Sequence, residues 1–199
     1  FYNSIKIREY IEIDNEKKET IFIFGGNLGK PQNILGLLNI IDKLSDYKLA
    51  KFIIIGSGSE DAKIKNYIVD KRPNNLIFYE YLTRDEYEKK LLTADVGLIS
   101  LDPRFTIPNI PSKLQSYMNL KKPILALTDV TTDLKEIISK AKCGWWYDAR
   151  NIDEIILGIK QICENKQIQK INGENGFEYL KKNYDVNINI KQLEKFMEE

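Results

Sequence analysis

TIFIFGGNLGKPQNILGLLNIIDKL, residues 20–44, is the stretch whose reading decides the fold. Residues 20–26 are β-branched and aromatic and end in paired glycines, the pattern of a buried strand. After Pro31 the apolar residues fall at Ile34, Leu37, Leu38 and Ile41, the spacing of one helix face. A strand, a glycine-rich turn and a helix in that order form the opening unit of an alternating α/β chain.

The alternation continues in both sense and spacing. KFIIIGSG (51–58) reads as a second strand with a glycine-rich exit, and SEDAKIKNYIV (59–69) as a helix opened by acidic residues. Residues 75–79 give a third strand. Thr83 with Glu86 three residues on makes a capping box, so 83–95 is a helix, followed by a fourth strand at 95–101. Ser112 with Gln115 repeats the capping pattern, and Leu114, Tyr117 and Met118 form the apolar face of the next helix. Residues 123–127 read as a strand, 132–140 as a helix and 144–147 as a short strand. Residues 151–165 read as a helix with Asn151 as its cap and Glu154 three residues on. The expected fold class is α/β, a Rossmann-like parallel sheet with helices on both faces. Residues 166–199 carry no strand signal and read as two polar helices separated near 183–185. Residues 1–19 are charged and irregular, as a linker would be. The expected organisation is a linker remnant at 1–19, a Rossmann-like domain at 20–165 and appended helices at 166–199.

Composition narrows the chemistry. The chain has 199 residues, 43% hydrophobic and 30% charged, with a net charge of +1. That balance does not give the broad basic footprint of a nucleic-acid binder. There is no histidine, which removes Ser-His and Cys-His triads, histidine-bound zinc and the commonest general base. Cys143 and Cys163 are too few for a disulfide framework and read as ordinary buried thiols. No apolar run approaches the ~20 residues that span a bilayer, and no signal peptide is visible. The sequence starts at Phe1 in the middle of a pattern, so a piece of a longer protein is expected.

In a parallel sheet of this kind, ligands bind at the carboxyl ends of the strands. The loop GGNLGKPQN (25–33) has three glycines that let backbone N–H groups approach an anion, and Lys30 adds a charge; a plain turn explains the glycines equally well. GSGSED (56–61) begins like a dinucleotide fingerprint, but Asp61 stands where the third glycine belongs and would repel pyrophosphate, so a tight turn before a helix is the better reading. In TIPNIPSKLQSYMNLKK (106–122), Lys113 falls in the first turn of a helix. The helix dipole disfavours a cation there by roughly 0.3–1 kcal/mol, and a bound anion would reverse that. A lysine reaching out to water is the alternative. Trp145 and Trp146 could stack on a sugar, but their place in a short strand favours packing.

Taken in order, GGNLGKPQN, FIIIGSGSE, NNLIFYEYLTRDEYEKKLLTADVGLISL, IPSKLQSYMNLKKPILAL and DLKEIISKAKCGWWYDARN resemble the C-terminal domain of retaining GT-B glycosyltransferases. The likeness covers roughly residues 20–185 and points to the bacterial branch that builds capsule and lipopolysaccharide sugars, including transferases of the fucosamine type. It implies one of two Rossmann-like halves, the one that holds a nucleotide-sugar donor, with UDP favoured over GDP. The other half, N-terminal and not in this sequence, would hold a glycan or lipid-linked acceptor. The resemblance implies a hexosyl- or N-acetylaminosugar transferase, inactive without that half, working in the cytoplasm and meeting the inner membrane face through it.

The same resemblance assigns residues. Gly25, Gly26, Asn27, Lys30 and Gln32, with Ser112 and Lys113, would cradle the donor diphosphate. Tyr81 and Leu82 would border the base, Gln115 or Ser116 would touch the ribose, and Gly56 would touch one or the other. No catalytic residue and no metal or other cofactor is expected in this chain. Two departures stand out. Relatives often carry two glutamates eight residues apart, where this chain has Pro108 and Ser116, and an Arg and a Lys where it has Asn27 and Gln32, with Lys30 displaced. The lost carboxylates motivate a second reading, a degenerate domain with an assembly or regulatory role. A third, a sugar-nucleotide epimerase of the same architecture, would want carboxylates that these loops lack.

Overall fold

The computed structural model describes residues 18–104 and 110–185. Six parallel strands form one sheet: β1 (Thr20–Gly25), β2 (Ala50–Ile55), β3 (Leu76–Tyr79), β4 (Val96–Ser100), β5 (Ile124–Thr128) and β6 (Gly144–Asp148). Seven α-helices accompany them: α1 (Ile34–Lys43), α2 (Asp61–Lys71), α3 (Arg84–Thr93), α4 (Lys113–Asn119), α5 (Leu134–Ala141), α6 (Ile152–Glu164) and α7 (Lys166–Asn183). The expected strands and helices are present in the expected order, with ends shifted by a residue or two. The second of the two expected C-terminal helices lies outside the described residues.

The strand order is β3-β2-β1-β4-β5-β6. The chain winds outward from β1 to β3, then returns to start again on the other side of β1. The reversal therefore falls between β1 and β4, paired through Phe22↔Val96 and Ile23↔Gly97. In an open parallel sheet, the crevice opens at that switch point, beyond the carboxyl ends of the strands.

The core has two layers because alternate strand residues face opposite sides. Phe22, Phe24, Phe52, Ile54, Leu98 and Leu125 pack against α1, α2 and α6. Ile23, Ile53, Ile99 and Ala126 pack against α3, α4 and α5. Phe22 and Phe52 stack with centroids 5.3 Å apart. Every residue of β4 and β5 is buried, as expected for central parallel strands. Trp145 packs on the first layer and Trp146 on the second, with the Trp146 indole N–H donating to Thr128 Oγ1 at 2.8 Å.

α7 runs along the amino ends of the strands. The Gln169 amide donates to Thr20 Oγ1, and Lys166 lies 3.6 Å from the Asp95 carboxylate. Gly173 packs so closely that a Cβ would stand 2.0 Å from the Lys121 carbonyl oxygen. Asn175 donates to the Lys142 carbonyl, and Leu180 and Tyr184 enter the second core layer.

Two expected caps are absent. Ser112 precedes α4 but takes right-handed helical angles, φ −57° and ψ −26°, and its side chain accepts no capping bond. A cap needs extended backbone to turn its oxygen onto the following N–H groups. The turn begins one residue earlier, where Leu114 N–H donates to the Pro111 carbonyl at 3.0 Å. Gln115, the expected partner, is buried. Asn151 likewise makes no cap to the backbone; its amide donates to the Glu154 carboxylate at 3.3 Å instead. The capping box at Thr83 and Glu86 is complete in both directions.

Candidate functional site

The site is assembled at the β1/β4 switch point from three loops. β1 runs into Gly25 and Gly26, and Gly26 takes φ +129°, a conformation that side chains rarely adopt. The exit of β2 presses directly against it: a Cβ on Gly56 would stand 1.8 Å from the Gly26 carbonyl oxygen. Gly26 N–H donates to Ile55 O at 2.9 Å, and Leu28 N–H to Ser57 O at 2.9 Å. The glycines at 56 and 58 therefore let two backbones meet. Gly56 buttresses Gly26, and Asn27, although exposed, turns its side chain toward Gly58 and Gly29.

A single 3-10 turn, Lys30–Gln32, follows, with Pro31 setting its start. Asn33 takes a left-handed conformation, φ 49°, as the chain turns into α1. The loop after β4 is stitched to this turn by Asp102 N–H, which donates to Pro31 O at 2.8 Å. The Asp102 carboxylate accepts from the Arg104 backbone and guanidinium, at 2.6 Å to Nη2, and that guanidinium holds its pKa below the usual carboxylate range.

Lys113 completes the site from α4. Its side chain crosses the carboxyl end of β1. The ammonium lies 3.8 Å from the centroid of the Phe24 ring and 3.4 Å from Gln32 Oε1. A Cβ on Gly26 would be 3.8 Å from it, so the glycine backbone borders the same space. No carboxylate pairs with Lys113 among the described residues. Burial pulls its pKa down from the ordinary 10.5 to about 8.

α4 is anchored by Tyr117. Its ring lies where a Cβ on Gly97 would stand, and its buried hydroxyl is 3.1 Å from Ile23 O and 3.3 Å from Leu98 O. This fixes α4 over the switch point and aims Lys113 at β1.

Of the residues expected from sequence, the structure brings together Gly26, Gln32 and Lys113. Gly25 is buried at the strand end beneath the Tyr87 ring. Lys30 and Ser112 are exposed on the flanking loops, Gln115 is buried and Ser116 half-buried. Tyr81 lies beyond β3, two strands from β1, and is 79% exposed, while Leu82 packs on the second core layer. Pro108 is outside the described residues. Sequence reasoning missed Phe24, Asp102 and Tyr117. Phe24 was findable as the last aromatic before the glycines; nothing local marks the other two.

A six-stranded parallel sheet with this crevice defines the class: the chain is the Rossmann-like half of a GT-B fold. TarM from Staphylococcus aureus, solved as a variant in complex with fondaparinux, α-GlcNAc-glycerol and UDP, matches all of this chain with a TM-score of 0.77 at 20% identity, over 38% of its own length. The lipopolysaccharide outer core galactosyltransferase WaaB, in its apo form, matches 98% of the chain and 55% of its own, with a TM-score of 0.72 at 19% identity. The chain belongs to the glycosyl transferases group 1 family, whose profile matches residues 6–179. A curated relative, the probable glycosyltransferase WbjE of Pseudomonas aeruginosa, is 28% identical over 155 residues, which is 78% of this chain. The chain spans 38% of that relative's length. Among the described residues, no helix is long and apolar enough to cross a membrane.

Proposed function

We propose that this chain is the donor-binding half of a retaining glycosyltransferase that passes a sugar from a nucleotide-sugar to a glycan or lipid-linked acceptor in cell-surface polysaccharide synthesis. The observation that carries the reading is the Lys113 ammonium, held without a carboxylate beside the Gly26 backbone at the switch point. A phosphate oxygen about 4 Å from an ammonium gains on the order of 4 kcal/mol gross at intermediate dielectric. In such a reaction the difficult charge is the one developing on the departing diphosphate, and preorganised positive groups meet it. In this reading Lys113 and those backbone N–H groups of the 25–32 loop that are not spent on Ile55, Ser57 and Gly29 supply that field with no metal involved, and Lys30 and Ser112 flank it. Tyr81 and Leu82, on the β3 side, border the base. Ser116, which is half-buried, offers a neutral contact to the ribose, whereas Gln115 is turned into the protein.

UDP is the favoured nucleotide, in line with the ligand of the TarM complex, and polysaccharide synthesis is in line with the role named for WaaB. The sugar is a hexose or an N-acetylated amino sugar. The acceptor sits on a separate N-terminal half, and the chain alone turns over no donor.

Calorimetric titration tests the reading directly. UDP binds this chain, GDP binds more weakly, and Lys113→Ala loses at least about tenfold in UDP affinity. Failure of both nucleotides to bind at millimolar concentration sinks the donor-binding role and favours the non-enzymatic reading that the missing carboxylates motivate. Equal affinity in Lys113→Ala removes Lys113 from the site.

A further inference from the structure

Lys113 and Gln32 are far apart in sequence and meet only because α4 and the 3-10 turn converge over β1. The Gln32 side-chain carbonyl is the one polar acceptor that the ammonium reaches among the described residues, at 3.4 Å, while the Phe24 ring takes another face at 3.8 Å. Neither partner carries a full negative charge. A carboxylate at position 32 would hold the ammonium more firmly, but would also neutralise it.

We infer that Gln32 is a positioning residue: its neutral amide oxygen holds Lys113 Nζ at the rim of β1 without cancelling its charge, which is left for an arriving diphosphate. The inference rests on the donor-binding reading above. Above about pH 8, where the free chain holds the neutral amine, its lone pair takes a proton from water or buffer as the diphosphate binds, forming one N–H bond and leaving the conjugate base in solution. Among the described residues, the ionisable groups on the adjoining loops and on α3 are engaged or exposed: on the 56–61 loop, Glu60 pairs with Lys63 and Asp61 with Lys65. Lys30, on the same 3-10 turn, is exposed. Asp102, beyond β4, is engaged by Arg104, which is itself 89% exposed in its side chain. Tyr87, from α3, lies against Gly25, and its phenol is pushed up by burial, so it is neutral. Burial alone pulls Lys113 down, to about 8. Two phosphate charges beside it would push it back up, and the difference is proton uptake on binding.

The test separates this inference from the proposal it rests on. The titration midpoint of Lys113 is followed by NMR in the free, isotope-labelled chain from about pH 6 to about pH 11. Gln32→Leu lowers the midpoint, and Gln32→Glu raises it. Pyrophosphate titrations then follow. Gln32→Leu weakens binding at neutral pH about five- to tenfold, and Gln32→Glu at least as much, because its carboxylate cancels the charge. In buffers of different ionisation enthalpy at about pH 9, the native chain takes up close to one proton more per pyrophosphate bound than Lys113→Arg, a difference from which the ionisation of pyrophosphate itself cancels. A Lys113 midpoint unmoved in both Gln32 variants overturns the inference, whatever the chain does with pyrophosphate. A midpoint that moves in a chain binding neither pyrophosphate nor UDP supports the positioning role and overturns the donor-binding reading instead.

Discussion

Lys113 works against the fold that holds it. Its pKa of about 8, against an ordinary 10.5, means that the folded chain disfavours the charged form. The unfolded chain binds the extra proton between those two values, so stability rises with pH across that window. Below about pH 8 the full cost is present, and it is gone only once the pH has risen past the ordinary 10.5. Lys113→Met keeps the stem packed on Phe24 and removes the charge. We expect it to stabilise the free chain by about 1 kcal/mol at neutral pH, a few degrees in Tm, after allowing for partial solvent screening. The gain fades between about pH 8 and about pH 11, as the unfolded lysine loses its proton too. Thermal melts of the two chains across that range check both the sign and the window. The same substitution abolishes the diphosphate affinity assigned to Lys113, so stability and binding move in opposite directions at one residue.

At the level of single elements, two serine/threonine positions that look alike in sequence have unlike structures. Thr83 accepts from Glu86 N–H while the Glu86 carboxylate accepts from Thr83 N–H, so Thr83→Ala should cost about 1 kcal/mol in urea unfolding. Ser112 sits in helical backbone without a capping bond, and Ser112→Ala should lie within about 0.5 kcal/mol of the native chain. An equal loss in both would contradict the assignment. The contrast also shows what was legible. The strands could be read because β-branched runs alternate with helix-periodic ones, a signal carried inside each segment. The Thr83 box could be read because its partners are three residues apart in free-standing backbone. The Ser112 box could not, because Pro111 starts the turn early and the core claims Gln115. The glycine loop and Lys113 could be proposed as site residues from their loops. Gln32 could be set beside them only through the family resemblance, and the meeting with Phe24 could not be read at all, since it depends on the strand order that sets β4 beside β1. Tyr117 and Gly97 form a matched bulge and hollow 20 residues apart, with no local motif to announce either.

Across the whole molecule, α7 joins elements that the sheet leaves separate. It touches the start of β1 through Thr20, the approach to β4 through Asp95, and the approaches to β5 and β6 through Lys121 and Lys142. The contact at Gly173 is the closest of these, with backbone against backbone. Gly173→Leu should lift α7 off α4 and destabilise the chain by more than about 3 kcal/mol, read as a large fall in urea midpoint, whereas Gly36→Ala on α1 should be far milder, since only the Asn33 side chain must move. A Gly173 variant as stable as the native chain would show that α7 is an ornament to the domain and not part of its frame. The strap lies along one rim of the sheet only. The loops of the candidate site leave from the opposite rim, which α7 does not touch in these contacts. Such a division of labour favours evolvability: loops on the free rim can be lengthened, shortened or rewritten while the strapped rim keeps the scaffold the same.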